Sequence, residues 1–178
     1  MKRNLSLLLI CLLLACFAAG CGAAGPDSRA TVSPHGTFAA SDMIFYLDGK
    51  GYEVKTDSAA LLATLGDDRR AEEAISCLFD GMDKSFDYGD VIISTYPIDG
   101  KDVIEEITIF SDKYPTAKGI KVGQSADEAV KAYGAGGVLD GDILTYMLTD
   151  AGDSPRLYFQ INAENFITLI SYFGGTGL

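Results

Sequence analysis

The sequence predicts an α+β protein built from two tandem helix-plus-antiparallel-strand units, with the helices on one face of an antiparallel sheet. Three observations predict it. The stretch Gly51–Gly66, G-Y-E-V-K-T-D-S-A-A-L-L-A-T-L-G, is echoed 68 positions later by G-I-K-V-G-Q-S-A-D-E-A-V-K-A-Y-G, residues Gly119–Gly134. Each copy carries apolar residues at helical spacing: Leu61, Leu62 and Leu65 in the first, Ala129, Val130 and Tyr133 in the second. That spacing puts them on one face of a short amphipathic helix. Runs rich in β-branched and aromatic residues, broken by Gly, Asp and Asn, then follow each helix and read as antiparallel strands.

Each helix has its own start and stop signals. Ser125 followed by Glu128 is a capping-box pattern, in which the two side chains satisfy N–H groups that a helix start leaves unpaired. Asp57 holds the matching position in the first copy and is a favourable N-cap. Gly66 and Gly134 stop the helices where a positive φ is needed. Before the first helix, Met43–Leu47 reads as a strand. The charged run Asp67–Ala74 reads as a loop. Strands are expected over Ile75–Phe79, Ser85–Tyr88, Val91–Tyr96 and Ile104–Phe110, with a turn at Gly89-Asp90. In the second unit they are expected over Ile143–Leu148, Arg156–Ile161 and Phe166–Phe173, separated by turns at Asp150–Asp153 and Asn162–Asn165. The first unit then spans 42–112 and the second 113–178. The roughly 135 residues from Met43 onward are enough for one shared core.

The first twenty residues are an export signal: Lys2 and Arg3, an apolar stretch from Leu5 to Ala19, and small residues leading into Cys21. The apolar stretch is short for a membrane span. The segment A-A-G-C at 18–21 resembles a bacterial lipobox, with Ala18 where that motif usually has Leu. Cys16 is the weaker competing position. The resemblance implies that Cys21 is the site of lipid attachment, and that the protein is anchored by that lipid on the extracytoplasmic face of the cell membrane. Mass spectrometry of the mature N-terminus should therefore find two or more acyl chains on Cys21, as stable anchoring requires. A Cys21→Ser protein that is still processed there and still partitions with membranes would refute this. Residues 21–41, rich in Gly, Ala, Ser and Pro, read as the lipidated Cys and a flexible tether with a reach of about 25 Å.

The whole chain carries 14 basic and 25 acidic residues, a formal charge of −11. Loss of Lys2 and Arg3 with the signal leaves 12 basic residues and about −13. This acidity argues against nucleic acid, which needs a basic footprint, and against electrostatic docking on anionic lipid.

The stretch G-I-K-V-G-Q-S-A-D-E-A-V-K-A-Y-G resembles the helix-start motif of the BamE/SmpA and β-lactamase-inhibitor-protein (BLIP) group. The resemblance implies helices packed on an antiparallel sheet in secreted or lipid-anchored domains. S-C-L-F-D-G-M-D-K-S-F-D-Y-G, S-T-Y-P-I-D-G-K-D and T-A-K-G-I-K-V-G also resemble uncharacterised lipoproteins of Gram-positive gut bacteria, over Ser76 to about Tyr133. That likeness implies no activity. No BLIP-type binding residue has a counterpart on the strands.

The residues offer little catalytic chemistry. His35, the single histidine, lies in the tether. One His and one folded-domain Cys cannot build a zinc site, and no cofactor motif occurs. Cys77 sits in an apolar run and reads as a buried structural residue. Asp80, Asp83, Asp87 and Asp90, and then Asp140, Asp142, Asp150 and Asp153, lack the spacing of a calcium loop and read as turn residues. Tyr96, Tyr146 and Tyr158 lie on strands and are the candidate partner-binding residues, because tyrosine offers a large contact area at small entropic cost. The expectation is a non-catalytic, membrane-anchored module that binds a protein or a cell-envelope component. A scaffold subunit of an envelope assembly and an inhibitor of a secreted hydrolase are the alternatives.

Overall fold

The computed structural model describes residues 36–175. The signal at 1–20, Cys21, and the tether as far as His35 lie outside the described residues. Ten strands and two α-helices follow one another: β1 (Ile44–Leu47), β2 (Lys50–Glu53), α1 (Ala59–Leu65), β3 (Arg70–Ile75), β4 (Met82–Asp87), β5 (Val91–Ile98), β6 (Lys101–Ile109), α2 (Ala126–Tyr133), β7 (Val138–Asp140), β8 (Ile143–Met147), β9 (Arg156–Ile161) and β10 (Ile167–Phe173). Eight strands form one antiparallel sheet in the order β3-β4-β5-β6-β10-β9-β8-β7, and β1 and β2 form a separate hairpin.

This corrects the expected fold class. The chain is mostly antiparallel sheet, and its only two α-helices among the described residues have seven and eight residues. It is not a pair of tandem helix-plus-strand units. Gly51 lies within β2, whereas Gly119 sits in a turn at φ 79°, so the two stretches part company at their first residue. Ile75–Phe79, expected to match Ile143–Met147, is instead the end of β3 and a loop.

What does recur at the shift of 68 is the entry to each helix. Lys55 N–H donates to Ile104 O and Ile104 N–H to Thr56 O; Gly123 N–H donates to Ile167 O and Ile167 N–H to Gln124 O. Ser58 and Ala126 N–H groups then donate to Asp102 O and Asn165 O. Both helices therefore start against a strand of the sheet. Ser125 N–H donates to Glu128 Oε2 at 3.2 Å. At the first helix the cap position is Ser58, and Asp57 acts one residue earlier by accepting the Ala59 N–H at 3.0 Å.

Helices this short are marginal alone and depend on packing. Leu61, Ala129 and Tyr133 supply it. They join a single core with Ile93, Ile107, Ile109, Ile170, Tyr172, Leu157 and Phe159 from the central strands. Leu62, Leu65 and Val130 pack only at its margin. Cross-strand partners such as Ile93 with Ile107, Ile170 with Ile109 and Phe159 with Ile170 share the face that the helices cover.

Most of β3, Arg70–Ala74, falls in the run Asp67–Ala74 that was expected to be a loop because it is so charged. Strand formation needs only its backbone, and all six of its side chains are exposed at the sheet edge. Charge on an edge strand also discourages pairing with another chain. Strand β7 closes the opposite edge. The fold begins earlier than the expected tether end at 41. Gly36 N–H donates to Lys131 O, and the Phe38 ring lies 5.9 Å from Tyr133 and 5.5 Å from Tyr146.

Candidate functional site

Strand alternation leaves the second face of the sheet without a covering layer of helices among the described residues. Opposite the core residues stand Ile92, Ser94 and Tyr96 on β5, Glu106 and Thr108 on β6, Leu169, Ser171 and Phe173 on β10, Arg156 and Tyr158 on β9, and Ile143 and Met147 on β8. Two groupings on this face have the chemistry of a contact surface.

The first is aromatic. Tyr158 and Phe173 lie side by side with ring centroids 6.3 Å apart. Arg156 Nη1 donates to Tyr158 Oη at 3.2 Å, and its Nη2 donates to Gly152 O. Its Nε is buried without a hydrogen-bond partner. All three side chains are half-buried, held by neighbours yet still open to contact.

The second is acidic and lies where the β3–β4 loop folds over the sheet. Ser76 N–H donates to Gly81 O, closing the loop, and Ser76 Oγ accepts the N–H groups of Leu78 and Phe79. Gly81 takes φ 133°, and a Cβ there would sit 2.9 Å from Pro97 Cβ, so only glycine lets the loop lie this close to β5. The loop lays Phe79 on Tyr96, rings stacked at 4.9 Å and 23°. On β6 a bulge opposite Ser94 turns Glu105 toward the same face as Glu106. Asp83, Glu105, Tyr96, Phe79, Leu78 and Ser76 enclose about 30 Å³. A shallower groove of about 320 Å³ continues past Glu72 and Ser94. Burial raises the Glu105 carboxyl above the usual carboxylate range, and the charges of Glu106 and Asp83 raise it further. Burial likewise raises the Tyr96 hydroxyl, with Glu105 adding to it.

The candidate tyrosines thus divide. Tyr158 is on the open face. Tyr96 is on the same face but 8% exposed, beneath Phe79. Tyr146 is in the core at 1% exposure, its hydroxyl donating to Gly134 O at 2.9 Å, and it presents nothing to a partner. The run I-L-T-Y-M has apolar residues on both parities, so alternation could not tell which parity faces the core. Cys77, expected to be buried in a strand, is free and exposed in the loop. The S-C-L-F-D-G run bends at Ser76, where the hydroxyl captures the loop amides and ends β3.

Apart from Asp83, which lines the pocket beside Glu105, the turn aspartates do not converge. Asp87 pairs with Arg70 at 2.8 Å, Asp90 with Lys113 at 3.6 Å, and Asp142 accepts from Gln160 at 3.3 Å. Among the described residues no three His, Cys, Asp or Glu side chains are grouped as a metal would need. Also among the described residues, no helix is long and apolar enough to cross a membrane. His35 and Cys21 lie outside the described residues. Sequence reading missed Glu105, Phe79 and Arg156. The E-E pair facing a Ser on the neighbouring strand was the available signal for the bulge, but it depends on a register that the sequence alone does not fix.

Fold and site together define a small, mostly antiparallel β protein with one covered and one open sheet face. No protein-family model, curated protein or solved structure matches the chain.

Proposed function

We propose that the protein is a non-catalytic binding module, held by a lipid on Cys21 at the extracytoplasmic face of the membrane, that takes a protein partner on its open sheet face. The observation that carries this reading is the Tyr158–Phe173–Arg156 grouping. Tyrosine and arginine are the residue types that dominate binding hot spots, and clustering in a partly desolvated patch is how such spots are built. The chain's net charge of −11 favours a partner with a basic surface, since complementary potentials steer encounter and suppress wrong partners. The lipobox-like A-A-G-C segment supports the anchored location.

The test is capture of a partner from the native cell envelope by the full chain, compared with Tyr158→Ala and Phe173→Ala. Each substitution truncates a half-buried ring on the outer face and should leave the fold intact by circular dichroism. A specific partner that the intact face retains should be weakened by at least about 2 kcal/mol on loss of a hot-spot ring, roughly thirtyfold in affinity. Equal retention by all three proteins would exclude this face as the binding surface.

A further inference from the structure

We propose that the acid–aromatic pocket between the β3–β4 loop and strands β4, β5 and β6 receives a primary ammonium, the head of a lysine side chain on the protein partner. This rests on the sheet-face reading above and gives that partner a chemistry.

Four features of the pocket lead there. Asp83 lines it, and the Oδ1 of that carboxylate is shut off from solvent and has no hydrogen-bond partner among the described residues. A buried acceptor left unmade is costly, and a donor that reaches it recovers that cost. Glu105 stands beside it, and among the described residues no ion pair is made by Asp83, Glu105 or Glu106. The adjacent Lys84 is committed to Asp102 at 2.9 Å. Among the described residues the pocket's carboxylates are therefore without an ion-paired cation. The pocket wall is the Phe79–Tyr96 stack, and an outer π face of that stack attracts a cation placed over it.

Acceptor geometry and collar choose among cations. A single unpartnered carboxylate oxygen suits the compact point charge of an ammonium, whereas a planar guanidinium is matched to paired acceptors. At the mouth, Leu78 is 70% exposed. An apolar collar above an anionic floor matches an alkyl stem ending in a charge, because such stems pack on apolar surface while the head seeks polar partners.

The experiment titrates the full chain, in neutral detergent, with Nα-acetyl-lysine N-methylamide, following the amide and ring resonances of Phe79, Tyr96 and Asp83. Saturable shifts are expected for the lysine probe. The norleucine analogue, which keeps the stem and lacks the charge, should give none. The arginine analogue should bind at least about fivefold more weakly. Asp83→Asn keeps shape and removes the charge, and should weaken the lysine probe about ten- to hundredfold, the range of a charge-assisted hydrogen bond. Glu105→Gln provides a second, isosteric check in the same direction.

Equal binding to wild type and Asp83→Asn would overturn the proposal, as would equal response to norleucine or arginine. Ethanolamine binding as tightly as the lysine probe would point instead to a small envelope amine and remove the role of the collar. The two readings fail separately. If the lysine probe does not bind but Tyr158→Ala abolishes partner capture, the pocket is wrong and the sheet face stands. If the probe binds but face variants leave capture unchanged, the reverse holds.

Discussion

Replacing Phe45 by alanine should lower the unfolding free energy by about 3–5 kcal/mol, the range for removing a buried aromatic side chain. The reason lies in how the β1–β2 hairpin is attached. It shares no hydrogen-bond ladder with the eight-stranded sheet. A lone two-stranded hairpin is marginal in water, so side-chain packing must hold it. Phe45 supplies much of that packing: it is fully buried, with its ring 5.7 Å from Tyr114 and 6.2 Å from Tyr172. Truncation leaves a cavity over the centre of the core and loosens the hairpin with it. Tyr46, the next residue, is 44% exposed, and Tyr46→Ala is the control, with an expected change within about 0.5 kcal/mol. Denaturant melts read out both variants. Because one core serves the described fold, Phe45→Ala should shift a single transition. A loss no larger than that of Tyr46→Ala would mean that the hairpin is not held through this ring.

The hairpin also shows what was legible in the sequence and what was not. Its turn is Asp48-Gly49, with φ of 51° and 77°, and the β5–β6 turn is Asp99-Gly100, with 51° and 73°. Asp-Gly between apolar runs is a strong hairpin signal, because both residues tolerate positive φ. Reading Gly51 as the start of a repeat obscured the first of them. Strands β9 and β10 were visible as β-branched and aromatic runs bounded by turn residues, and the helices in their caps and glycine stops. Strand β3 was hidden because an exposed edge strand needs no apolar pattern. Sheet order was hidden because pairing β6 with β10 joins residues some sixty positions apart, which no local pattern reports. The same limit conceals the pocket. Asp83 looked like a turn residue, and only the register of β5 and β6 places Glu105 beside it.

The two helix stops supply a comparison in which one geometric term differs. Gly66 has φ 91° and ψ −167°, and Gly134 has φ 92° and ψ 177°. That region of backbone space is essentially open to glycine alone. An alanine at either position should therefore carry a strain of roughly 1–3 kcal/mol, offset by about 0.4–1 kcal/mol from stiffening the unfolded chain. The surroundings differ. A Cβ at Gly66 meets nothing within 4 Å, whereas at Gly134 it would sit 2.2 Å from Gly36 O. Gly36 belongs to the segment that crosses the end of α2, where its N–H donates to Lys131 O and Phe38 rests on Tyr133 and Tyr146. Lys118 secures the same segment, donating to Thr37 O and pairing with buried Asp42 at 2.9 Å. Gly134→Ala must then push this segment away and should cost about 1–3 kcal/mol more than Gly66→Ala, the usual penalty of overpacking. Hydrogen exchange locates the difference. The Gly36 amide should lose protection in Gly134→Ala and keep it in Gly66→Ala. Equal destabilisation by the two alanines, with Gly36 protected in both, would show that the segment is not bound to the end of α2 as its hydrogen bond and ring contacts require.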